Sequence, residues 1–282
     1  MTATGLMKAS VLGVSMIALA SSAAWAATTT TTTTATTAAP PAKAPVKAKP
    51  KRTVYETNVP PNTVEPGAVA AMLKMSNYLR SLSGFGVQMA TERDEVDEYG
   101  QVLTFEGTTT YKVKKPDAFT VDRDEDMTDR QYVYDGKSVT VYDPKTKYYA
   151  QFAAPSTISG TLKLANDTYG VSVPLDDLFH WDENGDLAKK LTAAHFVGPT
   201  EVAGHPANHY AFRQPGVDWQ IWISQGDNPV PVRIVIVAND DPARPQFEAN
   251  LTWDLAPTFA ADTFVFTPPA DSKKIPIQTD AR

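Results

Sequence analysis

The sequence contains no cysteine. Disulfides, thiolate metal sites, cysteine nucleophiles and an acylated N-terminal cysteine are therefore excluded. Histidine is scarce. His205 and His209 stand four apart in Gly204-His-Pro-Ala-Asn-His-Tyr210, but on a strand that spacing separates them by about 13 Å, too far for one metal ion. Pro206 argues against a helix there. His180, beside Trp181, reads as a partly buried side chain, and His195 is expected to close a helix and face its C-terminal dipole. Two acidic runs, Asp122–Asp126 and Asp182–Asp186, begin like calcium loops. Met127 and Leu187 stand where the turn glycine belongs, and Val133 and Ala193 where the last carboxylate belongs. No G-x-S-x-G elbow, P-loop, H-E-x-x-H or S-x-x-K motif occurs. Neither a metal site nor a cofactor is expected, and the residues point to no catalytic chemistry. Long apolar runs are missing too. The longest, Val11–Ala20, is well short of the roughly 20 residues that span a bilayer.

The N-terminus is distinctive. Lys8, the run Val11–Ala20 and Ala24-Trp25-Ala26 form the charged, apolar and small-x-small parts of a secretory signal peptide over residues 1–26. Residues 27–40 are almost all Thr and Ala, and residues 40–52 read PPAKAPVKAKPKR. Neither has apolar side chains to bury, so a disordered linker is expected over 27–55, extended where proline is dense. The first 55 residues hold six of the 26 basic residues and no acidic one. Lys8 leaves with the signal peptide. Lys43, Lys47, Lys49, Lys51 and Arg52 remain as a basic arm suited to an anionic membrane surface. The rest has 20 basic against 32 acidic residues, a balance of −12, which disfavours nucleic acid. The signal and the missing cysteine predict an exported, periplasmic, unlipidated protein, expected to be a monomer.

A globular domain is expected over 56–282. Pro66 opens a helix, in which Val69, Met72, Leu73, Ser76, Leu79 and Leu82 share a face and which Ser83-Gly84 ends. Alternation marks strands at Phe85–Met89 and Leu103–Val113, then near 118–122, 131–135, 138–142 and 147–152. Helical spacing returns over 155–192. Four more strands follow, at 199–213, 217–224, 230–238 and 245–255. The fold class is α+β: one N-terminal helix, about six strands, a helical insert, then about four strands. So long an antiparallel sheet tends to curl.

Three turns punctuate the middle: Lys115-Pro116-Asp117, Asp135-Gly136 and Asp143-Pro144. This order resembles the middle of the LolA/LolB-type periplasmic lipoprotein carriers, and Phe264-Val-Phe-Thr-Pro-Pro269 resembles their C-terminal F-x-F-x-P-P. Met75-Ser-Asn-Tyr-Leu79, Gln214-Pro-Gly-Val-Asp-Trp-Gln220, Asp240-Asp-Pro-Ala-Arg-Pro-Gln246 and Leu251-Thr-Trp253 resemble a family of predicted bacterial periplasmic proteins in the same fold group, for which no activity is established. The resemblance implies an incomplete β-barrel with a helical lid, hollow enough for acyl chains. In the carriers an arginine before the turn proline latches the lid. Lys115 holds that place here and lacks the planar fork of Arg.

The remaining signal is aromatic and apolar. Met89, Phe105, Tyr132, Tyr134, Trp219 and Trp222 are the candidate lining of a cavity, on strands that share one sheet. The expected function is to bind a lipid or lipoprotein acyl chain without catalysis. The alternative is an envelope-stress sensor or adaptor that uses the same fold for protein contact.

Overall fold

The structure, a computed structural model, describes residues 59–173, 175 and 187–279. Helix α1 spans Pro66–Ser81, with Pro66 in the first turn, where its missing N–H leaves no bond unmade. Ala68, Met72, Met75, Ser76 and Leu79 form its buried stripe. The chain leaves the helix through an extended Leu82, so Gly84 opens the first strand rather than capping the helix.

Six antiparallel strands follow: β1 (Gly84–Val96), β2 (Val102–Lys114), β3 (Ala118–Glu125), β4 (Asp129–Tyr134), β5 (Ser138–Asp143) and β6 (Tyr148–Ala153). Helix α2 (Ile158–Tyr169) and a short helix, Leu187–Lys190, belong to the insert before β7 (Ala193–Val202), β8 (His205–Gln214), β9 (Val217–Ser224), β10 (Pro231–Ala238) and β11 (Gln246–Asp254). A two-residue strand β12, Lys273–Lys274, pairs parallel with β6. All twelve strands form one unclosed sheet in the order β12-β6-β5-β4-β3-β2-β1-β11-β10-β9-β8-β7. This is the expected α+β curled sheet with an N-terminal helix and a helical insert; an open sheet this wide curls to bury one face.

Two local expectations are corrected. The stretch 199–213 is a hairpin and not one strand. Ala203 and Gly204 both take positive φ, 49° and 82°, and pair Val202 with His205 in a two-residue turn. Five full strands therefore follow the insert. His195 closes no helix; it lies in β7 opposite Ala211.

The insert is anchored at its start. Thr157 caps α2 by accepting from the Gly160 amide at 3.3 Å. The Ile158 amide donates to the Pro116 carbonyl at 3.0 Å, tying α2 to the β2–β3 turn, which holds a cis Lys115–Pro116 bond. The Tyr134 hydroxyl and Thr161 Oγ1 both donate to the Pro155 carbonyl. Ile158, Leu162 and Ala165 join α1 in the core, and Tyr169 packs on Phe152 with ring centroids 4.3 Å apart.

Candidate functional site: the inner face of the sheet

Register divides the side chains into two sets, because paired residues point to the same face. On one face, Val87, Met89 and Thr91 of β1 align with Tyr111, Thr109 and Gly107 of β2. That row continues through Val121 to Tyr132 on one side, and through Leu251 and Ala249 to Ile234, Ile221 and Tyr210 on the other. α1 and α2 bury their apolar stripes in the same core cluster. This is the inner face, and it is apolar across eleven strands.

Five of the six lining candidates lie on it. Met89, Tyr132, Tyr134 and Trp219 are buried in the core cluster. Trp219 stacks on Phe212 at 4.1 Å. Phe105 is half-buried, with the Arg93 guanidinium 5.6 Å from its ring centre. Trp222 differs. It lies on the outer face, sandwiched between His209, parallel at 4.0 Å, and Arg233 at 5.0 Å. Strand alternation forces this, since Trp219 and Trp222 are three apart. Tyr142 and Tyr149 also belong to the outer face, where both pack on Phe266.

One end of the inner face is polar. Arg93 Nη2 donates to Glu125 Oε2 at 3.3 Å, and Arg123 reaches Glu125 through Nε at 2.6 Å and Nη2 at 2.5 Å. Arg93 also pairs with Glu95. Burial works to lower the Arg123 pKa, but the hydrogen bond and charge of Glu125 outweigh it and the net shift is upward. Burial pushes the Tyr132 hydroxyl up despite Arg123 and Arg130, so it stays protonated. Arg93 Nε and Thr109 Oγ1 are buried and have no hydrogen-bond partner. This cluster escapes a reading by composition because Arg93 and Glu125 sit in surface-like charged runs. The available signal is parity: Arg93 follows Met89 and Thr91 at even steps along β1.

Lys115 reaches the end of α1. Its Nζ donates to the carbonyls of Leu79 at 2.7 Å and Arg80 at 3.3 Å. The outer face carries a groove of about 570 Å³ whose lining includes Glu92, Glu106, Asp124, Asp126, Glu248 and Lys145. In the acidic run, Asp122 accepts from Gln131, and Asp126 accepts from the Glu106 amide. No group of three or more His, Asp or Glu among the described residues is placed to hold a metal. His180, Asp182–Asp186 and the arm residues Lys43, Lys47, Lys49, Lys51 and Arg52 lie outside the described residues.

Residues 68–278 match the model of a family described as "Predicted periplasmic protein (DUF2092)". The chain belongs to this family. The family span opens inside α1 and ends beyond β12, so it takes in every strand of the sheet. No curated protein matches the chain. Among solved structures, LprF from Mycobacterium bovis is similar at 12% identity over 74% of this chain and 99% of that one, with a TM-score of 0.43. The lipoprotein LppX from Mycobacterium tuberculosis is similar at 13% over 69% and 98%, with a TM-score of 0.41. A LolA superfamily protein from Nitrosomonas europaea is similar at 9% over 71% and 97%, with a TM-score of 0.32. The family's description is of a predicted periplasmic protein, and no helix among the described residues is long and apolar enough to cross a membrane.

Proposed function

We propose that this protein binds the acyl chain of a lipid or lipoprotein between the inner face of its sheet and the helical insert, as a carrier-like protein of the periplasm. The observation that carries this reading is an apolar inner face that runs across eleven strands of a sheet that does not close. Acyl binding is driven by area removed from water, about 0.8 kcal/mol per methylene. Met89, Phe105, Tyr132, Tyr134 and Trp219 are the residues assigned to the lining. Residues 1–26 act as an export signal, 27–55 as a linker and 56–282 as the binding domain; without cysteine the protein stays unlipidated. Binding and release require no reaction, so the protein is not an enzyme in this reading.

The test is displacement of a fluorescent fatty acid from purified protein by a lipopeptide. Micromolar binding is expected, weakened by Met89→Asp. Absence of binding by the wild-type protein across several chain lengths overturns the proposal.

One observation favours the adaptor alternative. The β1–β2 ladder runs on to Val96 and Val102, whereas pairing to β11 stops at Arg93 and pairing to β3 stops at Gly107. The hairpin thus projects past its neighbours, carrying an 87% exposed Tyr99 beside Asp94, Glu95, Asp97 and Glu98. A photo-crosslinker at Tyr99 that captures one protein from intact periplasm, with no lipid in the purified complex, would favour the adaptor.

A further inference from the structure

The polar end of the inner face is built from residues that a plain core would not use. Arg93 and Arg123 have side chains only 10% and 13% exposed, and the carboxylate between them, Glu125, is 5% exposed. The other partner of Arg93, Glu95, is 40% exposed and lies toward solvent. The buried part of the network therefore holds two guanidiniums against one carboxylate. Buried charge is retained when it is paired and hydrogen-bonded, and here the set is short of one acceptor. Two atoms show where it is missing. Arg93 Nε and Thr109 Oγ1 are both buried without partners, while Arg93 and Thr109 as residues are 8% and 0% exposed. Buried polar groups are almost always satisfied, so two orphans on one surface call for a group that supplies oxygens.

The register places these groups at one end of the sheet. Gly107 lies on β2 between the levels of Arg93 and Thr109, and the Glu125 side chain fills the space above it; beside it Thr91 Oγ1 donates to the Gly107 carbonyl at 3.2 Å. Thr109 is flanked by Met89 on β1 and Arg123 on β3. Beyond Met89 the surface becomes continuously apolar, through Tyr111, Val87 and Leu251 to Phe85. The span from Arg93 to Phe85 is about 26 Å along β1, at roughly 3.3 Å per residue.

We infer that the Arg93–Thr109 end of the inner face receives the anionic headgroup, a carboxylate or phosphate, of the bound amphiphile, whose chain then lies along Met89 toward Phe85. This rests on the acyl-chain reading and narrows its ligand to acidic amphiphiles. Arg93 Nε–H and the Thr109 hydroxyl donate to the headgroup oxygens, and Arg123 supplies the neighbouring positive field. Charge-assisted hydrogen bonds of this kind are stronger than neutral ones, and the planar guanidinium suits a two-oxygen acceptor.

The experiment measures displacement of Nile red, a neutral dye, by palmitate and by methyl palmitate, which share one chain and differ in headgroup charge. Wild-type protein is expected to bind palmitate about tenfold more tightly, the order of one hydrogen bond to a charged group. Thr109→Val keeps the side-chain shape and leaves the Arg93–Glu125–Arg123 contacts in place. It should cut that preference to about threefold without lowering the melting temperature. Arg93→Gln should abolish the preference, and its melting curve separates lost recognition from lost folding. Equal binding of both ligands by the wild type overturns the headgroup assignment and leaves acyl binding standing. Binding of neither overturns both. Inorganic phosphate arbitrates the source: if phosphate alone displaces palmitate at equal concentration, the site serves a free anion and the amphiphile assignment falls.

Discussion

Gly107 and Glu125 face each other across β2 and β3, and the missing side chain at Gly107 is what lets Glu125 fold over β2 to meet Arg93. A Cβ on Gly107 would collide with the Glu125 Cγ and stand 2.6 Å from the Asp124 carbonyl oxygen. Gly107→Ala is therefore expected to destabilise the protein by about 1–3 kcal/mol, as overpacking does, and to break the Arg93–Glu125 contact. Urea denaturation measures the first effect. An unchanged midpoint would show that the strands yield without cost.

His209 links acid pH to stability. Burial is the largest influence holding its pKa below the ordinary 6.5; the positive charges of His195 and Arg233 act the same way, against a hydrogen bond to Gln220 at 2.9 Å. A base with a depressed pKa is favoured neutral in the fold. Its contribution is complete above the unfolded value and is lost as pH falls through the lower, folded one. Melting temperature should therefore drop as pH falls below about 6.5, and His209→Gln should flatten that limb. Because His209 stacks on Trp222, the same titration should quench tryptophan emission in the wild type and not in the variant. Quenching that persists in His209→Gln would assign the transition to another group.

Lys115 joins α1 to the β2–β3 turn. Lys115→Met keeps most of the aliphatic stem and removes the donors to the Leu79 and Arg80 carbonyls. A loss of about 1 kcal/mol is expected by urea titration, the order of one hydrogen bond reinforced by a cation at a helix C-terminus. Lys115→Arg should recover most of it. The carrier-like latch role makes a different forecast: palmitate affinity or release rate changes while the denaturation midpoint does not.

Much of this architecture is legible in the chain because the signal is local. Trp219, Ile221 and Ile223 alternate with Asp218, Gln220 and Trp222, and the strand buries the first set. Pro66 and the spacing of Met72, Ser76 and Leu79 place α1. The same alternation separates Trp222 from Trp219, so treating both as lining overrides a rule the residues already obey. The β7–β8 hairpin is hidden because Ala203 carries no turn signal beside Gly204, and because Pro199 and Pro206 interrupt both strands. The polar cluster is less legible still. Arg93 and Glu125 are 32 residues apart, and only the three-strand register brings them together. The C-terminal Phe266 reads as a motif, yet its contact with Tyr142 and Tyr149 depends on where the chain turns after β11.

The basic arm carries a charge that the globular domain does not share. Lys43, Lys47, Lys49, Lys51 and Arg52 lie within ten residues that hold no acidic group, whereas the chain beyond residue 55 has a balance of −12. Near an anionic bilayer each cation contributes on the order of 1 kcal/mol, fading within a Debye length of about 10 Å at moderate salt. The acidic domain is repelled by the same surface. Mature protein should therefore sediment with phosphatidylglycerol vesicles at low salt, release as salt rises, and ignore phosphatidylcholine vesicles. Protein truncated before Val54 should stay in the supernatant throughout. Replacing the four lysines and Arg52 with glutamine tests charge apart from length, and should match the truncation. If the truncated form sediments as well as the full one, the arm is a spacer, and any membrane contact belongs to the domain.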